Sequence, residues 1–274
     1  MALIAFLIAG AIIGGVVGGL KARASSSNTA PPPATTSTGT LAAKDRAIAA
    51  ASTAGNGTKQ STLQIFYQDL PTANILYRLI WADKANQEQV VTLTPPPNQG
   101  TPLAVVSSNS SSGNSIMTSL FYLSTDSSRK PVICQAMLEC SQGSASCTTK
   151  FNVVISGAMT EGIAPKTKLA ALLLDGSSEY RVFFQALSGW IWVLVAHGPT
   201  DKSPWAVSQV GGPGISGTSL AASIERTPFS INLLFVFNAT GTLREIEYND
   251  TVGPEANRKS LTLHPNNYGE VAPN

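Results

Sequence analysis

The sequence predicts an all-β domain built from one small antiparallel sheet repeated four times, and three observations predict it. The segments YRVFFQALSGWIWVLVA (180–196) and NLLFVFNATGTLREIEY (232–248) both run apolar, break at a small-residue turn that ends in Gly, and run apolar again. The apolar runs are short, rich in Val, Ile and aromatic residues, and bounded by Gly, Pro, Ser or Asn. No long stretch after residue 60 shows helical periodicity.

Each repeated unit is predicted to hold three or four strands. The units begin with small apolar strands at residues 48, 103, 169 and 220. A second strand in each unit carries adjacent large apolar residues, namely Phe66 and Tyr67, Phe121 and Tyr122, Phe183 and Phe184, and Phe235 to Phe237. The third strands are ILYRLIW, PVICQAML, WIWVLVA and TLREIEY, and the fourth are VVTLT, FNVVIS, WAVSQV and SLTLH.

Strand-rich repeats of this kind indicate a β-propeller over residues 41–274, in which each sheet buries its faces against its neighbours. Four repeats are visible, and degenerate blades would raise the number to five or six. The Phe and Tyr positions are predicted to pack between blades. Pairing of SLTLH with an N-terminal strand near 41–51 would close the ring and remove exposed sheet edges.

Three cysteines lie close together in the sequence. Cys140 and Cys147 bracket the polar loop SQGSAS and are predicted to form a disulfide in an oxidising compartment. A metal site is the alternative, but the chain has no CxxC motif and only two histidines, His197 and His264. Cys134, in the apolar run PVIC, is predicted to be a buried thiol. We expect neither a metal nor a cofactor.

Charge is sparse in this chain. Charged residues make up 12% of 274 residues, and the formal net charge is +2. Lys and Arg are scattered without a run, which argues against binding to nucleic acid, since a basic stripe is needed to displace counterions from phosphate. Gly and Pro are plentiful, as expected for short strands joined by many turns.

The N-terminal residues 2–20, ALIAFLIAGAIIGGVVGGL, are uncharged and long enough to cross a bilayer as one helix. Gly10, Gly14 and Gly18 form a small-xxx-small pattern, which predicts a possible homodimer contact through this helix. A cleaved signal peptide is the alternative, with an A-x-A-like site at 22–24. Residues 21–40, rich in Ser, Thr and Pro, are predicted to form a disordered stalk.

Two signals conflict over membrane orientation. Lys21 and Arg23 follow the apolar segment and, by the positive-inside rule, would place that side in the cytoplasm. Four N-x-S/T sequons favour the outside, together with the cysteines and the low charge; they are at Asn56, Asn109, Asn238 and Asn249. We expect a single-pass membrane protein with an extracellular, glycosylated domain, or else a secreted one.

The order of LAA, RVFFQ, a Gly turn, LREIEY, and then W and GG resembles the fungal fucose-specific lectins, which are six-bladed propellers of the orange-peel mushroom lectin type. The best matches are YRVFFQALSG (180–189), FVFNATGTLREIEYND (235–250), IFYQD (65–69) and WAVSQVGGPGISGTSLAA (205–222). The resemblance spans residues 46–263. It implies a propeller that binds fucose-type glycans, and the apolar segment and stalk before such a domain resemble those of fungal cell-surface proteins, which indicates a membrane-anchored variant.

The resemblance also implies where a sugar would bind. In that family each fucose lies between adjacent blades, held by an Arg that opens the second strand and a Glu twelve positions later in the third. Such charge-assisted bonds give direction, and Trp or Tyr rings cover the apolar face of the sugar. Arg181 matches the Arg, but Val193 stands twelve positions later; Glu245 matches the Glu, but Leu233 stands twelve positions earlier.

The other two repeats lack both members of the pair, with Gln64 and Leu76 in the first and Ser119 and Pro131 in the second. Trp81 and Trp205 occupy positions suited to aromatic platforms, although a Trp that closes a strand commonly packs in the core. The prediction is therefore a lectin-like propeller whose sugar sites are degenerate.

Enzymatic signatures are missing from the sequence. Neither histidine lies in a nucleophile motif such as GxSxG, and acidic residues such as Asp69, Asp126 and Asp175 fall beside strand ends, where Asp commonly makes turns. We predict a non-enzymatic, carbohydrate-binding protein. The alternatives are a structural or protein-interaction ectodomain and, less favoured, a glycan hydrolase, which would need two carboxylates facing one pocket.

Overall fold

The described part of the chain is entirely β-structure. The computed structural model describes residues 47–53, 62–81, 84–110, 114–157, 159–174, 178–198, 204–226, 229–236, 243–248 and 262–264, all within one unit that spans Ala43–Asn274. These residues form seventeen strands and no helix. The predicted membrane segment 2–20 and stalk 21–40 lie outside the described residues. Among the residues that the structure describes, no helix has the length and apolar character that a membrane span requires.

The strands form four antiparallel sheets, numbered here 1 to 4 in chain order. Sheet 1 contains β1 (Ile48–Thr53), β2 (Thr62–Gln68), β3 (Ile75–Trp81), β4 (Lys84–Ala85) and β5 (Gln89–Val91). Sheet 2 contains β6 (Leu103–Asn109), β7 (Ser115–Thr125), β8 (Pro131–Ser141) and β9 (Cys147–Val154). Sheet 3 contains β10 (Ala170–Leu174), β11 (Glu179–Gln185), β12 (Trp190–His197) and β13 (Ala206–Pro213). Sheet 4 contains β14 (Leu220–Arg226), β15 (Phe229–Val236), β16 (Leu243–Tyr248) and β17 (Thr262–His264).

The four predicted repeats are confirmed, because each repeat folds into its own sheet with strands paired in sequence order; in sheet 1 both β4 and β5 pair with β3. The turn predicted at ALSG joins β11 to β12, and its Gly189 has a φ of 84°, a region that favours glycine. The predicted pairing of SLTLH with a strand near 41–51 does not occur with the described residues of that stretch, and residues 41–46 lie outside them. The SLTLH strand, β17, pairs with β16 in sheet 4, and β1 pairs with β2 in sheet 1.

The sheets follow one another with their first strands in contact, β1 with β6, β6 with β10, and β10 with β14. Three apolar clusters lie between sheets 1 and 2, 2 and 3, and 3 and 4. Adjacent residues of a strand point to opposite faces, so Tyr122 packs toward sheet 1 while Phe121 packs toward sheet 3. In the same way Phe184 packs toward sheet 2 and Phe183 toward sheet 4. The predicted packing of the aromatic positions between sheets is confirmed.

A buried glutamine after the aromatic pair fastens the loop that leads to the next sheet. The Gln185 Nε2 donates to the carbonyls of Gly189 and Gly214, each at 3.0 Å, and its Oε1 accepts from the N–H of Gly217 at 3.0 Å. Gln68 in sheet 1 bonds to its own turn and following loop in the same way. The recurrence of Gln in FYQ and FFQ therefore has a structural cause.

The predicted disulfide is confirmed, since Cys140 and Cys147 are bonded and face each other across β8 and β9. The turn that they close is docked on sheet 1. There the Ser144 carbonyl accepts hydrogen bonds from Trp81 Nε1 at 3.0 Å and Asn86 Nδ2 at 2.8 Å. The disulfide thus fixes a turn that joins two sheets.

Replacing both Cys140 and Cys147 with Ala is expected to lower the free energy of unfolding by about 2–3 kcal/mol, because the unfolded chain regains the entropy of a short closed loop. Urea unfolding with and without dithiothreitol measures this change. The reductant should destabilise the wild-type protein and leave the double variant unaffected. Equal sensitivity of both proteins to reductant would contradict the prediction.

The predicted buried thiol is also confirmed, because Cys134 is free and buried in sheet 2. Burial raises the pKa of Cys134 to about 12, so the thiol stays protonated at neutral pH. Since this folded pKa lies above the ordinary value of 9.0, the resulting stability is present below pH 9 and is lost as the pH rises toward 12.

Cys134 is accordingly expected to resist alkylation by iodoacetamide at pH 8 in the native protein and to react rapidly in 6 M guanidinium, where the thiol is exposed with an ordinary pKa. Mass spectrometry of timed samples gives both rates. A Cys134→Ala variant identifies the labelled site. Equal labelling rates in the native and the denatured protein would show that the thiol is accessible. Cys134 would then not be buried in sheet 2 as described.

Candidate functional site

The charged residues of β11 lie in the interface between sheets 3 and 4. Arg181 pairs in register with Leu172 and Val195, on the face of sheet 3 that carries Phe183 toward sheet 4. Its side chain is only 7% exposed. Glu179, two residues earlier on the same face, accepts a hydrogen bond from Arg181 Nε at 2.5 Å. A guanidinium and a carboxylate are therefore buried together beside apolar side chains.

His197 extends this arrangement toward solvent. It pairs in register with Glu179, and its Nδ1 lies 3.6 Å from Glu179 Oε2. Its side chain is 70% exposed, whereas that of Glu179 is 11% exposed. We call Glu179, Arg181 and His197 the Glu179 cluster. It combines guanidinium donors, carboxylate acceptors and an imidazole at the rim, groups that can bond to hydroxyls acting as donors or acceptors.

The carboxylate partner of Arg181 was not found by the twelve-residue spacing. Val193 is buried two register pairs away, opposite Phe183, and the residue opposite Arg181 is Val195. Glu179 supplies the carboxylate from the same strand instead. The signal for it is local, because residues two apart in a strand share a face, and the sequence Glu-Tyr-Arg at 179–181 has this spacing.

Glu245 is not brought to the Glu179 cluster by the strand register. It lies in β16 opposite Leu234. Leu233, the residue twelve positions earlier, is buried against sheet 3 and pairs in register with Ile246. Glu245 is therefore one register position away from the residue that lies opposite Leu233.

The two predicted platform residues lie in other interfaces. Trp81 is buried between sheets 1 and 2, and its indole N–H is used by the Ser144 carbonyl. Trp205 is half-buried between sheets 2 and 3 and contacts Phe121 edge-to-face, with ring centroids 6.3 Å apart. The structure therefore places Arg181, Trp81 and Trp205 in three different interfaces between sheets.

Trp192 was missed by the sequence analysis. It packs in the same interface as Trp205, and its Nε1 is buried without a hydrogen-bond partner, the single such side-chain atom among the residues that the structure describes. An indole N–H can only donate, and a buried unpaired donor costs free energy. The interface of sheets 2 and 3 therefore holds a buried donor without a partner as well as a half-buried aromatic ring.

One of the four glycosylation sequons can be placed. Asn109 ends β6 and is exposed, as glycosylation requires. Asn56, Asn238 and Asn249 lie outside the described residues. Glycosylation of all four remains a prediction.

Comparisons with known proteins agree on the fold. No protein-family model matches the chain, and no curated protein is similar to it in sequence. Among solved structures, AofleA from Arthrobotrys oligospora is similar with a TM-score of 0.56 and 19% identity, covering 74% of this chain and 54% of that one. The BP39L lectin from Burkholderia pseudomallei is similar with a TM-score of 0.53 and 17% identity, covering 75% and 53%.

A third match is the fungal lectin of Aleuria aurantia, described as a six-bladed β-propeller with a novel fucose recognition mode, at a TM-score of 0.40 and 14% identity, covering 77% and 78%. The predicted resemblance is confirmed as a likeness of fold, through AofleA and the BP39L lectin. The four successive antiparallel sheets are consistent with the predicted β-propeller. The chain spans little more than half the length of the first two structures.

Proposed function

We propose that the protein binds carbohydrate, of the fucose type, in the interfaces between its sheets and does not cleave it. The observation that carries this proposal is the Glu179 cluster, in which Arg181 and Glu179 are buried in the interface of sheets 3 and 4 and His197 reaches solvent. Two of the three similar structures reported above are called lectins, which supports carbohydrate binding and a non-enzymatic role.

The residues of the cluster suit sugar hydroxyls in distinct ways. The planar guanidinium of Arg181 presents several donors in a fixed geometry. The hydrogen bond from its Nε to Glu179 holds the guanidinium in one orientation. The carboxylate of Glu179 accepts hydrogen bonds from hydroxyls, and charge-assisted bonds of this kind are the strong ones. The Trp192 N–H and the Trp205 ring offer a second contact in the interface of sheets 2 and 3.

The proposed setting is the cell surface. Residues 2–20 would anchor the chain in the membrane, 21–40 would act as a spacer, and the domain would face outward with glycans on its sequons. A homodimer through the Gly-rich segment belongs to the same proposal. These features rest on the sequence patterns described above.

Glycan-array binding by the purified full-length chain in detergent tests the proposal. Arg181→Lys keeps the positive charge and removes the planar fork, so fucosylated glycans should bind about 10–100-fold more weakly, the loss expected for one or two charged hydrogen bonds. Arg78→Lys, on exposed strand surface of sheet 1, is the matched control and should bind like wild type.

Three results would contradict the proposal. If the Arg181→Lys and wild-type proteins bind glycans equally well, the Glu179 cluster is not part of the sugar-binding site. Release of cleaved sugar from the array would favour a glycan hydrolase. If the folded wild-type protein binds no glycan on the array, a structural or protein-interaction ectodomain would be favoured.

A further inference from the structure

One end of sheet 3 exposes large apolar side chains at the tips of two turns. Leu187, in the turn between β11 and β12, is 65% exposed, and Trp190, where β12 begins, is 38% exposed. Ile215, in the loop after β13, is 36% exposed. The buried Gln185 joins the two turns, because its Nε2 donates to the carbonyls of Gly189 and Ile215, each at 3.0 Å. We call Leu187, Trp190 and Ile215 the apolar tip, which is carried by backbone that a buried side chain holds in place.

The chain enters the described domain at this same end. The N–H of Gln68, the last residue of β2, donates to the carbonyl of Ala47 at 3.3 Å, so β1 begins where β2 ends. Gln68 Oε1 also accepts from the N–H of Gly100, in the loop that leads to β6. Leu123, near the end of β7, lies in one apolar cluster with Leu169, the residue before β10. First strands therefore start beside the ends of second strands in successive sheets, and the apolar tip follows the second strand of sheet 3.

Exposed cations lie at this end too. Arg129 and Lys130 are in the turn between β7 and β8, and Lys166 and Lys168 precede β10; all four are exposed. Lys166 adjoins the loop after β13, since its Cβ lies 3.3 Å from where a Cβ on Gly217 would be. None of the four forms an ion pair with a residue that the structure describes. Their charges are therefore available to a partner.

The acidic residues at this end are less exposed than these cations. Asp69 Oδ2 accepts from Thr72 Oγ1 at 2.6 Å, and Asp126 Oδ1 accepts from the N–H of Ser128 at 2.8 Å, so both carboxylates serve their own turns. Both residues are half-buried, and so is Glu161. Among the described residues of this end, the outermost charge is consequently positive.

An exposed Trp among aliphatic side chains, with unpaired cations at the same end, matches the surface of a phospholipid bilayer in chemistry. Aliphatic groups enter the boundary of the acyl chains, an indole ring prefers the headgroup level, and Lys or Arg reaches the phosphate oxygens. Three side chains on turn tips are too few for a stable protein interface, which takes roughly 20–30 residues a side. We propose that this end of the domain rests on a phospholipid bilayer, with the apolar tip inserted and the four cations on the headgroups.

The course of the chain indicates which bilayer the tip contacts. Residues 2–20 are proposed above to lie in a membrane, and the chain that follows them joins the domain at the end that bears the apolar tip. The choice of that membrane rests on the proposed anchor, whereas the contact with lipid does not. Glu179 begins β11 and the tip follows the end of this strand, about 20 Å away. The Glu179 cluster therefore faces away from the bilayer, where glycans can reach it.

Quenching by nitroxide-labelled lipid tests this contact. The full-length chain is reconstituted in vesicles of phosphatidylcholine and phosphatidylglycerol that carry the labelled lipid. A fluorophore on Leu187→Cys reports on the tip, and one on Asn109→Cys, exposed at the opposite end, is the control; Cys134 is buried. We expect strong quenching of the first fluorophore and little of the second. Equal quenching of the two would overturn the proposal.

Removing cations distinguishes docking of the domain from a fluorophore that enters lipid by itself. Lys166→Gln and Lys168→Gln should each lower the ratio of docked to free tip about 5-fold, the contribution of one cation near an anionic lipid surface. Arg78→Gln, exposed on sheet 1, is the matched control and should leave the quenching unchanged. Unchanged quenching in both lysine variants would also overturn the proposal.

Flotation of the vesicles reports on the anchor separately, because an anchored chain floats with them whether or not the tip contacts lipid. Circular dichroism melting of each variant confirms that it is folded. All the substitutions lie outside the Glu179 cluster, so glycan binding on the array should stay as in the wild-type protein. Failure of the lipid contact, of the anchor and of sugar binding are therefore told apart.

Discussion

Replacing Phe184 with Ala is expected to lower the free energy of unfolding by about 3–5 kcal/mol, the range for a large aromatic ring removed from a core. Phe184 is fully buried and packs in the cluster between sheets 2 and 3, with Phe121 and Leu194 among its members. The ring is held by two sheets at once, so neither sheet can move into the space without losing its own contacts. Removal of the ring therefore leaves a cavity that mostly does not collapse. The cost of this cavity adds to the transfer free energy lost with the ring.

Leu187→Ala is the matched control for Phe184→Ala. Leu187 lies three positions further along the same hairpin and is 65% exposed, so its truncation should change stability by no more than about 0.5 kcal/mol. Urea unfolding followed by tryptophan fluorescence gives both values. If the two variants are equally stable, the ring of Phe184 is not enclosed between sheets 2 and 3. The packing of these two sheets against each other would then be contradicted.

The repeat was readable from the sequence because its signals are local. Apolar runs with short turns specify a hairpin wherever they occur, and Gly189 meets the backbone requirement of the turn between β11 and β12. The Cys140 and Cys147 pairing is local too, since the two residues face each other in one hairpin. The adjacent aromatics Phe183 and Phe184 predicted a strand buried on both faces, as a strand between two neighbouring sheets must be.

The site was harder to read because it depends on which face each residue occupies. A spacing of twelve residues places a partner on the same face only if the hairpin turn has the expected length. Leu233 and Glu245 show the failure, since the residue opposite Leu233 is Ile246 and Glu245 pairs with Leu234 instead. The neighbours of SLTLH are also hard to predict, because a three-residue strand carries little information about the strands beside it.

The buried ion pair yields the second large expected effect. Arg181→Met should lower the free energy of unfolding by about 3–5 kcal/mol, because it leaves the Glu179 carboxylate in the interface of sheets 3 and 4 without its guanidinium partner. Most of this loss is the cost of burying a carboxylate that has lost its guanidinium partner. Adding Glu179→Gln removes that charge, so the double variant should recover much of the stability. The coupling between the two sites measures the interaction.

Arg78→Met provides the control for this cycle. Arg78 is 53% exposed, its partner Glu88 is 3.7 Å away, and exposed pairs of this kind contribute about 0–1 kcal/mol. Urea unfolding of the four proteins of the cycle and the control, with unchanged dependence on urea, gives the comparison. If Arg181→Met is as mild as Arg78→Met, the pair is hydrated in solution. The interface of sheets 3 and 4 would then lack the fixed, desolvated donors on which sugar recognition at the Glu179 cluster depends.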